Sequence, residues 1–471
     1  MTEYRGIMDG SGQTDGGERL KAAQDLETLL SAYPGMRFID ALFIDLCGIA
    51  RGKRLTVDEA RHMAEGTVQI PRSIYALDVT GDSLDPDGFG FRDGDPDVTA
   101  VPVAGTFAPR FYGRDGKEPV VGQVLMEFED KTPPVIEPRA VLAHVAERFA
   151  ETGFTPVCAL ELEFFLIDRE RNADGSPRPP RAPGSNRPET RRSVYDMRSL
   201  DNFSAFVTDV DRMAQLQGIP ATVATSEFAP GQFEINLRHV DDPVEAADDA
   251  ALLRHLVTNV ADAHGYDCTF MSKPFPAEAG SGLHLHLSLG DGSGRNVFDN
   301  GGREGSDLLR HAIGGCLALM PASMAVFAAN RNAYRRFQPN LFVPMAPCWG
   351  YNNRSVAVRV PAGPAHARRL EHRVAGAEAN PYLALAALLA GVHHGVTNRI
   401  DPGQATAGNA SERHDPSLPG TIDAALDVAG ADEILRGYLP EGYLSLYLET
   451  KRLELEKFRT FVSPLEYQWY L

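Results

Sequence analysis

The sequence predicts an α+β fold made of a small β-rich N-terminal part and a larger mixed part. Its 471 residues exceed the usual size of one domain and leave room for two or three. Before residue 130, short apolar runs such as 38–45 and 98–103 alternate with segments rich in Gly, Asp and Pro, as in strands and loops. Beyond residue 130, candidate strands alternate with helical periodicity, which is typical of a large α+β domain.

The chain divides into three predicted segments. Residues 1–35 are expected to form a tail and a helix, because 1–17 is polar and Gly-rich and predicted to be disordered, whereas 18–32 has amphipathic spacing. Residues 36–130 are expected to form the β-rich domain. Residues 131–471 are expected to form the larger domain.

Periodicity places the elements of the larger domain. Segment 169–192, which contains several Pro and Arg, is expected to be a surface insertion that carries local positive charge. Strands are expected at 157–167, 232–238, 283–289, 355–360 and 369–374, and helices at 137–152, 197–217, 242–264, 306–328 and 380–397.

Composition argues against several classes of function. The formal charge is −18, with 46 Lys and Arg against 64 Asp and Glu, so no overall positive field favours nucleic acid. Five cysteines without CxxC spacing argue against a disulfide framework or a structural zinc site. No continuous apolar run reaches the ~18 residues that span a bilayer. We therefore expect a soluble cytoplasmic protein without nucleic-acid or membrane partners.

One predicted strand, Cys158 to Ile167, carries two carboxylates inside an apolar run. Because alternate side chains of a strand point to opposite faces, Glu161 and Glu163 share one face and the neighbouring Leu and Phe side chains take the other. Neighbouring carboxylates in apolar surroundings need cations, protons or hydrogen bonds, so bound metal ions are one explanation. The other explanation is an edge strand whose two glutamates face water.

Three further segments alternate polar and apolar residues in the same way. Such patterns also occur for purely structural reasons. A histidine in a strand is often structural, and a charged strand face is often a surface with salt bridges. Carboxylates outnumber imidazoles and cysteine is absent, which favours Mg²⁺ or Mn²⁺ over zinc. The polar residues are Gln232, Glu234 and Asn236, preceded by Glu227; His284, His286 and Ser288; and Arg369, Glu371 and Arg373.

Two segments rich in basic residues, 330–336 and 353–361, are candidates for holding phosphate or a substrate carboxylate. Arginine pairs bidentately with both groups. No G-x-x-x-x-G-K-[ST] sequence occurs in the chain, so a P-loop is excluded and a nucleotide must be held another way.

Taken together, these residues resemble the glutamine synthetases, and within them the γ-glutamyl-amine ligases that use an organic amine instead of ammonia. The resemblance covers residues 36–471 and rests on five ordered motifs. These are Glu161-x-Glu163; Ser226 to Glu234; Met271-Ser272-Lys273-Pro274 followed by Gly280 to His286; Asn353-Arg354-Ser355; and Glu371-x-Arg373 with Ala379-Asn380-Pro381-Tyr382.

The resemblance implies a β-grasp domain followed by a catalytic domain whose antiparallel sheet forms a funnel. It implies active sites between subunits of a homo-oligomer, usually a dodecamer of two hexameric rings, with ATP as co-substrate and two or more Mg²⁺ or Mn²⁺ ions per site. One ion would be bound by Glu163, Glu227 and Glu234, and the other by Glu161, His284 and Glu371. Glutamate would contact Gly280, Arg336 and Arg373, and the nucleotide would contact His286, Ser288 and the two catalytic arginines, Arg354 and Arg359.

The implied reaction transfers the γ-phosphoryl group of ATP to the glutamate side chain, after which an amine displaces the phosphate. Ammonia-using members carry Phe-Asp-Gly-Ser-Ser-Ile where this chain has Gln69 to Ile74, so Ile70 replaces the Asp. Phe342 stands where those enzymes place a carboxylate over the site. Both changes exchange charge for apolar surface that can bury the CH₂ groups of an alkylamine. We therefore predict putrescine, another polyamine or ethanolamine as substrate, with Ile70, Ser73 and Phe342 as amine-site candidates.

Two alternatives stay open at the level of sequence. Glutamine synthetase that uses ammonia fits the metal and glutamate motifs equally well, and only Ile70 and Phe342 speak against it. A catalytically silent homologue would require damaged metal ligands, yet all six positions are filled. A diamine would also need a distal anion, for which Asp78, Asp82 and Glu278 are candidates.

Overall fold

The structure is a computed structural model that describes residues 11–110, 119–131, 134–192 and 194–471. Its first part is a six-stranded sheet with the order β2-β1-β6-β4-β3, in which β5 also pairs with β6. β1 and β6 run parallel, and the other neighbours run antiparallel. The elements are α1 (Ser11–Ala32), β1 (Phe38–Ile44), β2 (Ala50–Thr56), α2 (Val57–Ala60), β3 (Val68–Pro71), β4 (Asp97–Pro102), β5 (Ala108–Pro109) and β6 (Val121–Phe128).

The first helix begins earlier than the sequence predicts. α1 starts at Ser11, so the prediction of disorder was wrong for residues 11–17. Glycine lowers helix propensity there without forbidding a helix, and no proline stops one. Residues 1–10, which were also predicted to be disordered, lie outside the described residues.

The larger part is built on an eight-stranded sheet with the order β10-β11-β7-β13-β16-β15-β14, in which β12 also pairs with β7. Only β14 and β15 run parallel among its described strand pairs. The elements are α3 (Pro138–Glu147), β7 (Thr155–Asp168), β8 (Arg181–Ala182), β9 (Arg187–Pro188), α4 (Met197–Asn202), α5 (Ser204–Leu216), β10 (Thr225–Ser226), β11 (Gln232–Asn236), α6 (Pro243–Ala263), β12 (Tyr266–Thr269), β13 (Leu283–Gly290), α7 (Asp307–Phe327), β14 (Trp349–Tyr351), β15 (Val358–Val360), β16 (Leu370–His372), α8 (Pro381–Asn398), α9 (Ile422–Ala431), α10 (Glu433–Tyr438), α11 (Tyr443–Arg459) and α12 (Pro464–Tyr470).

The predicted α+β class is confirmed, and each strand and helix predicted in the larger part has a counterpart. One predicted helix, 197–217, is divided at Phe203 into α4 and α5. Four C-terminal helices, α9 to α12, were not predicted individually. The insertion at 169–192 contains the β8–β9 hairpin, and its arginines are largely paired: Arg178 lies 2.9 Å from Glu170 and Arg181 lies 2.9 Å from Asp168.

The long strand β7 holds the larger sheet together through an apolar face. Its side chains Leu160, Leu162 and Phe164 are at most 2% exposed. The Phe164 ring stacks on Phe233 of β11 with centroids 6.0 Å apart and also meets Phe206 of α5 at 6.3 Å. Because this face is buried against helices, the register of β7 is fixed, and its alternate residues must point to the opposite face.

A closely packed helix pair, α7 and α8, lies in the core of the larger part. A Cβ at Gly315 would lie 2.0 Å from the carbonyl oxygen of Gly391, and a Cβ at Gly395 would lie 2.0 Å from that of His311. Only glycine permits this approach. By length and composition α7 alone among the described helices could cross a membrane, but 72% of its apolar window is buried inside the protein, as in a core helix.

Candidate active site

Strand register brings the predicted carboxylates and imidazoles onto one face of the larger sheet. Glu161 of β7 lies opposite His284 of β13, and Glu163 lies opposite Glu234 of β11. Directly opposed residues of neighbouring strands point to the same face, with Cβ atoms about 5 Å apart. The four side chains therefore form one polar cluster opposite the apolar face of β7.

The same cluster extends across β16 and β15. Glu371 of β16 lies opposite His286 of β13 on one side and Arg359 of β15 on the other. Ser288 follows two residues after His286 in β13 and so points to the same face. The polar face thus runs across five strands, from β11 to β15.

Glu161 lies between two histidines. Its Oε2 is 2.9 Å from Nδ1 of His284, and its Oε1 is 2.7 Å from Nε2 of His286. Burial alone would raise the pKa of Glu161, but the two imidazoles outweigh burial and hold that pKa well below its usual range. Glu161 is therefore a carboxylate that stays ionised in a buried setting.

Glu163 and Glu234 are in the opposite electrostatic situation. Burial, together with the nearby charge of Glu227, raises the pKa of Glu163 to about 8. Burial and the charges of Glu161, Glu163 and Glu227 raise the pKa of Glu234 to about 9. These carboxylates lack enough positive charge around them, even though Glu163 accepts hydrogen bonds from the Gly282 backbone N–H at 2.9 Å and from the Gln232 side chain at 3.3 Å.

Glu371 is held between two arginines. Arg359 donates from Nη1 to Oε2 of Glu371 at 2.8 Å, and Arg373 donates to Oε1. Burial opposes ionisation of Glu371, but Arg373 and the nearby imidazoles of His284 and His286 outweigh it and lower the pKa. Arg354, which is exposed between β14 and β15, lies near enough to Glu227 to offset part of the burial that raises the pKa of that carboxyl.

Arg336 and Gly280 meet at the edge of this face. Arg336 is 3% exposed and donates from Nη1 to the carbonyl oxygen of Val374 at 2.9 Å. A Cβ at Gly280 would lie 2.4 Å from Cγ of Arg336 and 2.5 Å from the carbonyl oxygen of Ser272. The segment before β13 can therefore pass Arg336 only with glycine at position 280.

Among the described residues, two groups of three side chains could each hold a metal ion. In each group one ligand atom per residue lies within 4.8 Å of the others, and the groups are Glu161, His286 and Glu371, and Glu161, Glu234 and His284. Carboxylate oxygens supplemented by imidazole suit Mg²⁺ or Mn²⁺. These two groups differ from the two predicted ligand sets. Glu161 belongs to both observed groups, and the observed group that contains Glu371 includes His286 where His284 was predicted. The predicted assignment of ligands to individual ions stays a prediction.

The three amine-site candidates differ in their exposure. Ile70 of β3 is 4% exposed in the core, opposite Val98. Ser73 is buried, and its hydroxyl donates to Asp95 at 2.8 Å. Phe342, by contrast, is 63% exposed in the loop before β14. Of the three, Phe342 alone offers an exposed apolar surface to a substrate.

The candidate distal anions are already bonded to cations. Asp78 lies 2.9 Å from Nζ of Lys457, which also contacts Asp82. Glu278 lies 3.1 Å from Nε of Arg192. Each of these carboxylates would have to exchange its present partner for an ammonium group.

Gln232 and Arg369 also belong to the polar face, although no predicted role was attached to them. Gln232 donates from Nε2 to Glu163, to the carbonyl oxygen of Gly280 and to the hydroxyl of Ser281. Arg369 donates to Nδ1 of His286 at 3.0 Å. In the sequence, the alternation of Gln232 and Arg369 with apolar residues indicates that they lie on the polar face. It does not indicate their hydrogen-bond partners, because those are distant along the chain.

Comparison with known proteins identifies the class. Residues 135–470 match the family described as glutamine synthetase, catalytic domain. The chain is 41% identical to gamma-glutamylputrescine synthetase PuuA of Escherichia coli (strain K12) over 95% of its length and 94% of the relative's. It is 29% identical to the glutamine synthetase of Thermotoga maritima, covering 93% of this chain and 96% of that protein. A solved structure, apo GmaS without ligand, superimposes with a TM-score of 0.78 at 27% identity, covering 95% of this chain and 98% of the other.

The chain belongs to the glutamine synthetase family. The resemblance deduced from the five motifs is thereby confirmed.

The contact at Gly280 gives a stability prediction. Gly280→Ala should lower the free energy of unfolding by ~1–3 kcal/mol, because the added methyl group forces Arg336 or the Ser272 carbonyl to move. Denaturant unfolding followed by circular dichroism measures the change. Gly292→Ala is the matched control, since a Cβ there meets nothing within 4 Å, and it should stay within ~0.5 kcal/mol of the parent protein. Equal stability of the two variants would contradict the contact.

Proposed function

We propose that this protein is an ATP-dependent ligase that joins glutamate to a primary amine larger than ammonia through γ-glutamyl phosphate. The observation that carries the proposal is the buried polar face. There Glu161 and Glu371, whose histidine and arginine partners lower their pKa values, lie on the same face as Glu163 and Glu234, whose pKa values are raised because they have too few positive partners. The amine is inferred from the higher identity to a gamma-glutamylputrescine synthetase, 41%, than to a glutamine synthetase, 29%.

In this proposal the carboxylate cluster would hold two divalent ions, Mg²⁺ or Mn²⁺. Glu163, Glu227 and Glu234 would bind one ion, and Glu161, His284 and Glu371 would bind the other. The raised pKa values of Glu163 and Glu234 support this set, since a buried excess of negative charge is relieved by a cation. When bound, such ions neutralise the phosphates and polarise the phosphoryl group that is transferred.

The protein's own residues position the two substrates. Arg336 and Arg373, with the backbone at Gly280, hold glutamate, because guanidinium groups match a carboxylate in charge and geometry. Arg354 and Arg359 face the phosphates of ATP and offset the charge that develops during transfer, while His286 and Ser288 lie near the nucleotide. A free carboxylate is a poor acyl donor, so conversion to an acyl phosphate makes attack by an amine feasible.

The acyl phosphate must be kept from water until the amine arrives. We propose that residues 36–130 form a β-grasp domain and residues 131–471 the catalytic domain. Twelve copies would assemble in two hexameric rings in the cytoplasm, with each site closed between neighbouring subunits. At the amine site, the exposed ring of Phe342 would pack against the methylene groups of the substrate, each worth about 0.8 kcal/mol when buried.

An amine panel tests the proposed reaction. With glutamate, ATP and Mg²⁺, putrescine should give a kcat/KM for ADP release at least tenfold above that of ammonium, since a small ion gains nothing from apolar contacts. Ethanolamine and a longer polyamine complete the panel, and omission of glutamate is the control. Ammonium exceeding every primary amine would identify a glutamine synthetase instead, and no glutamate-dependent turnover with any amine would identify a silent homologue.

The proposed metal ligands predict a loss of both binding and turnover. Glu163→Ala or His284→Ala should lower turnover at least a hundredfold with the fold retained, because no neighbouring group replaces the missing ligand. Mn²⁺ binding followed by electron paramagnetic resonance should weaken in parallel. Glu456→Gln, an exposed carboxylate of α11, is the control and should change neither quantity. Full activity in Glu163→Ala would rule out this ligand.

The amine preference can be altered at an exposed position. Phe342→Glu should raise the ratio of ammonium to putrescine activity at least fivefold, because a carboxylate there favours a small cation over an alkyl chain. Phe342→Leu keeps the position apolar and should leave the ratio within twofold. Ile70→Asp is the poorer test, since it would bury an unpaired carboxylate in the core and destabilise the fold. An unchanged ratio in Phe342→Glu would remove Phe342 from the amine site.

A further inference from the structure

A cavity of about 810 Å³ lies between the loops of the N-terminal sheet, the helix α11 and the segment that leads to Arg336. Volumes of about 300–1,000 Å³ are typical of small-molecule sites. Three large apolar side chains that line this cavity are unusually exposed: Val79 at 52%, Met271 at 43% and Phe458 at 55%. We propose that it binds an amphiphilic organic anion, an apolar body with a carboxylate, phosphate or sulfonate group, and that this ligand controls glutamate binding.

The cavity is separate from the polar face. None of the proposed metal, glutamate or nucleotide residues is among the described residues that line it. The arginines of segment 330–336 lie at both sites. Arg336 is buried at the edge of the polar face, whereas Arg331 and Arg335 are exposed and line the cavity. The proposed site therefore accounts for two arginines that the reaction does not use.

Charge selects the kind of ligand. Of the three acidic side chains among the described lining residues, Asp78 is paired with Lys457 at 2.9 Å and Glu454 with Lys451 at 3.1 Å, whereas Glu378 lies on the inner wall near Arg254. Within the described chain, neither Arg331 nor Arg335 is paired with a carboxylate, and the Arg331 guanidinium lies 5.1 Å from the centre of the Phe458 ring. The charge left free at the mouth is positive and lies beside apolar surface. That combination favours an anion with an apolar body over a diamine.

The inner wall connects the cavity to the glutamate-binding segment. Glu378 lines the cavity, and its Oε2 accepts a hydrogen bond from the Ser272 hydroxyl. The carbonyl oxygen of Ser272 in turn accepts from the backbone N–H of Ser281 at 2.8 Å, next to Gly280. On the neighbouring wall, Asn332 exchanges hydrogen bonds of 2.7 and 3.0 Å with the backbone of Lys273. A ligand that moves either wall therefore moves Gly280 or Arg336.

Binding is tested with a matched pair of fluorescent probes on the full-length protein. 8-Anilinonaphthalene-1-sulfonate carries the anion, and N-phenyl-1-naphthylamine is the same body without it. In the double variant Arg331→Ala/Arg335→Ala, the dissociation constant of the sulfonate should rise at least tenfold while that of the neutral probe stays within twofold. Arg295→Ala/Arg303→Ala, two exposed arginines elsewhere, should leave both unchanged. Equal sulfonate binding in parent and double variant, or displacement of the sulfonate by putrescine but not by decanoate, would overturn the site.

The regulatory half of the inference rests on the proposed function and needs a second measurement. Saturating sulfonate probe should change the KM for glutamate at least threefold in the parent protein and leave it unchanged in Arg331→Ala/Arg335→Ala. Probe binding without any change in KM would overturn regulation and leave only a binding cavity. Absence of glutamate-dependent turnover in the parent protein without probe would contradict the proposed function, whereas the result of the binding experiment does not depend on turnover.

Discussion

The site depends on how the negative charges of several buried carboxylates are neutralised on one face of the larger sheet. An isolated ionised carboxylate is strongly disfavoured away from water, so each glutamate needs cations or hydrogen bonds nearby. Glu161 lies between two imidazoles, and Glu371 lies beside Arg373 and near the same imidazoles, so the pKa values of Glu161 and Glu371 are both lowered despite burial. Glu163 and Glu234 have fewer such partners, and their pKa values are raised. The face thus combines carboxylates that stay ionised with carboxylates that lack positive partners. Such a face is suited to bind divalent cations.

This arrangement is possible because the opposite face of β7 is so well packed. Phe164 and its aromatic neighbours fix the register of the strand, and a slip of one residue would bury Glu161 and Glu163 in the core. The register then sets the pairing of Glu161 with His284 and of Glu163 with Glu234. The alternation of apolar and polar residues along β7 therefore produces both the hydrophobic core on one face and the cluster of carboxylates and imidazoles on the other.

That alternation is also why much of the site could be predicted from sequence. A period of two assigns Glu161, Glu163 and His284 to faces without any knowledge of the fold, and the ordered motifs supply the family. Contacts between distant segments carry no such signal. The sharing of Glu161 between two histidines depends on the β7–β13 register, and the burial of Ile70 depends on how the N-terminal sheet packs. The cavity beside Glu378 is formed by segments more than 400 residues apart, from Leu46 to Phe458, so no local pattern could indicate it.

In the proposed reaction the polar face activates the side-chain carboxylate of glutamate by phosphorylation. Glutamate labelled with ¹⁸O in that carboxylate reports this step, because the oxygen between carbon and phosphorus leaves with the phosphate when the amine attacks. With ATP, Mg²⁺ and putrescine, one ¹⁸O atom should appear in each inorganic phosphate formed, as measured by mass spectrometry. Phosphate that carries no ¹⁸O, released at the same rate as the amide forms, would exclude γ-glutamyl phosphate as the intermediate.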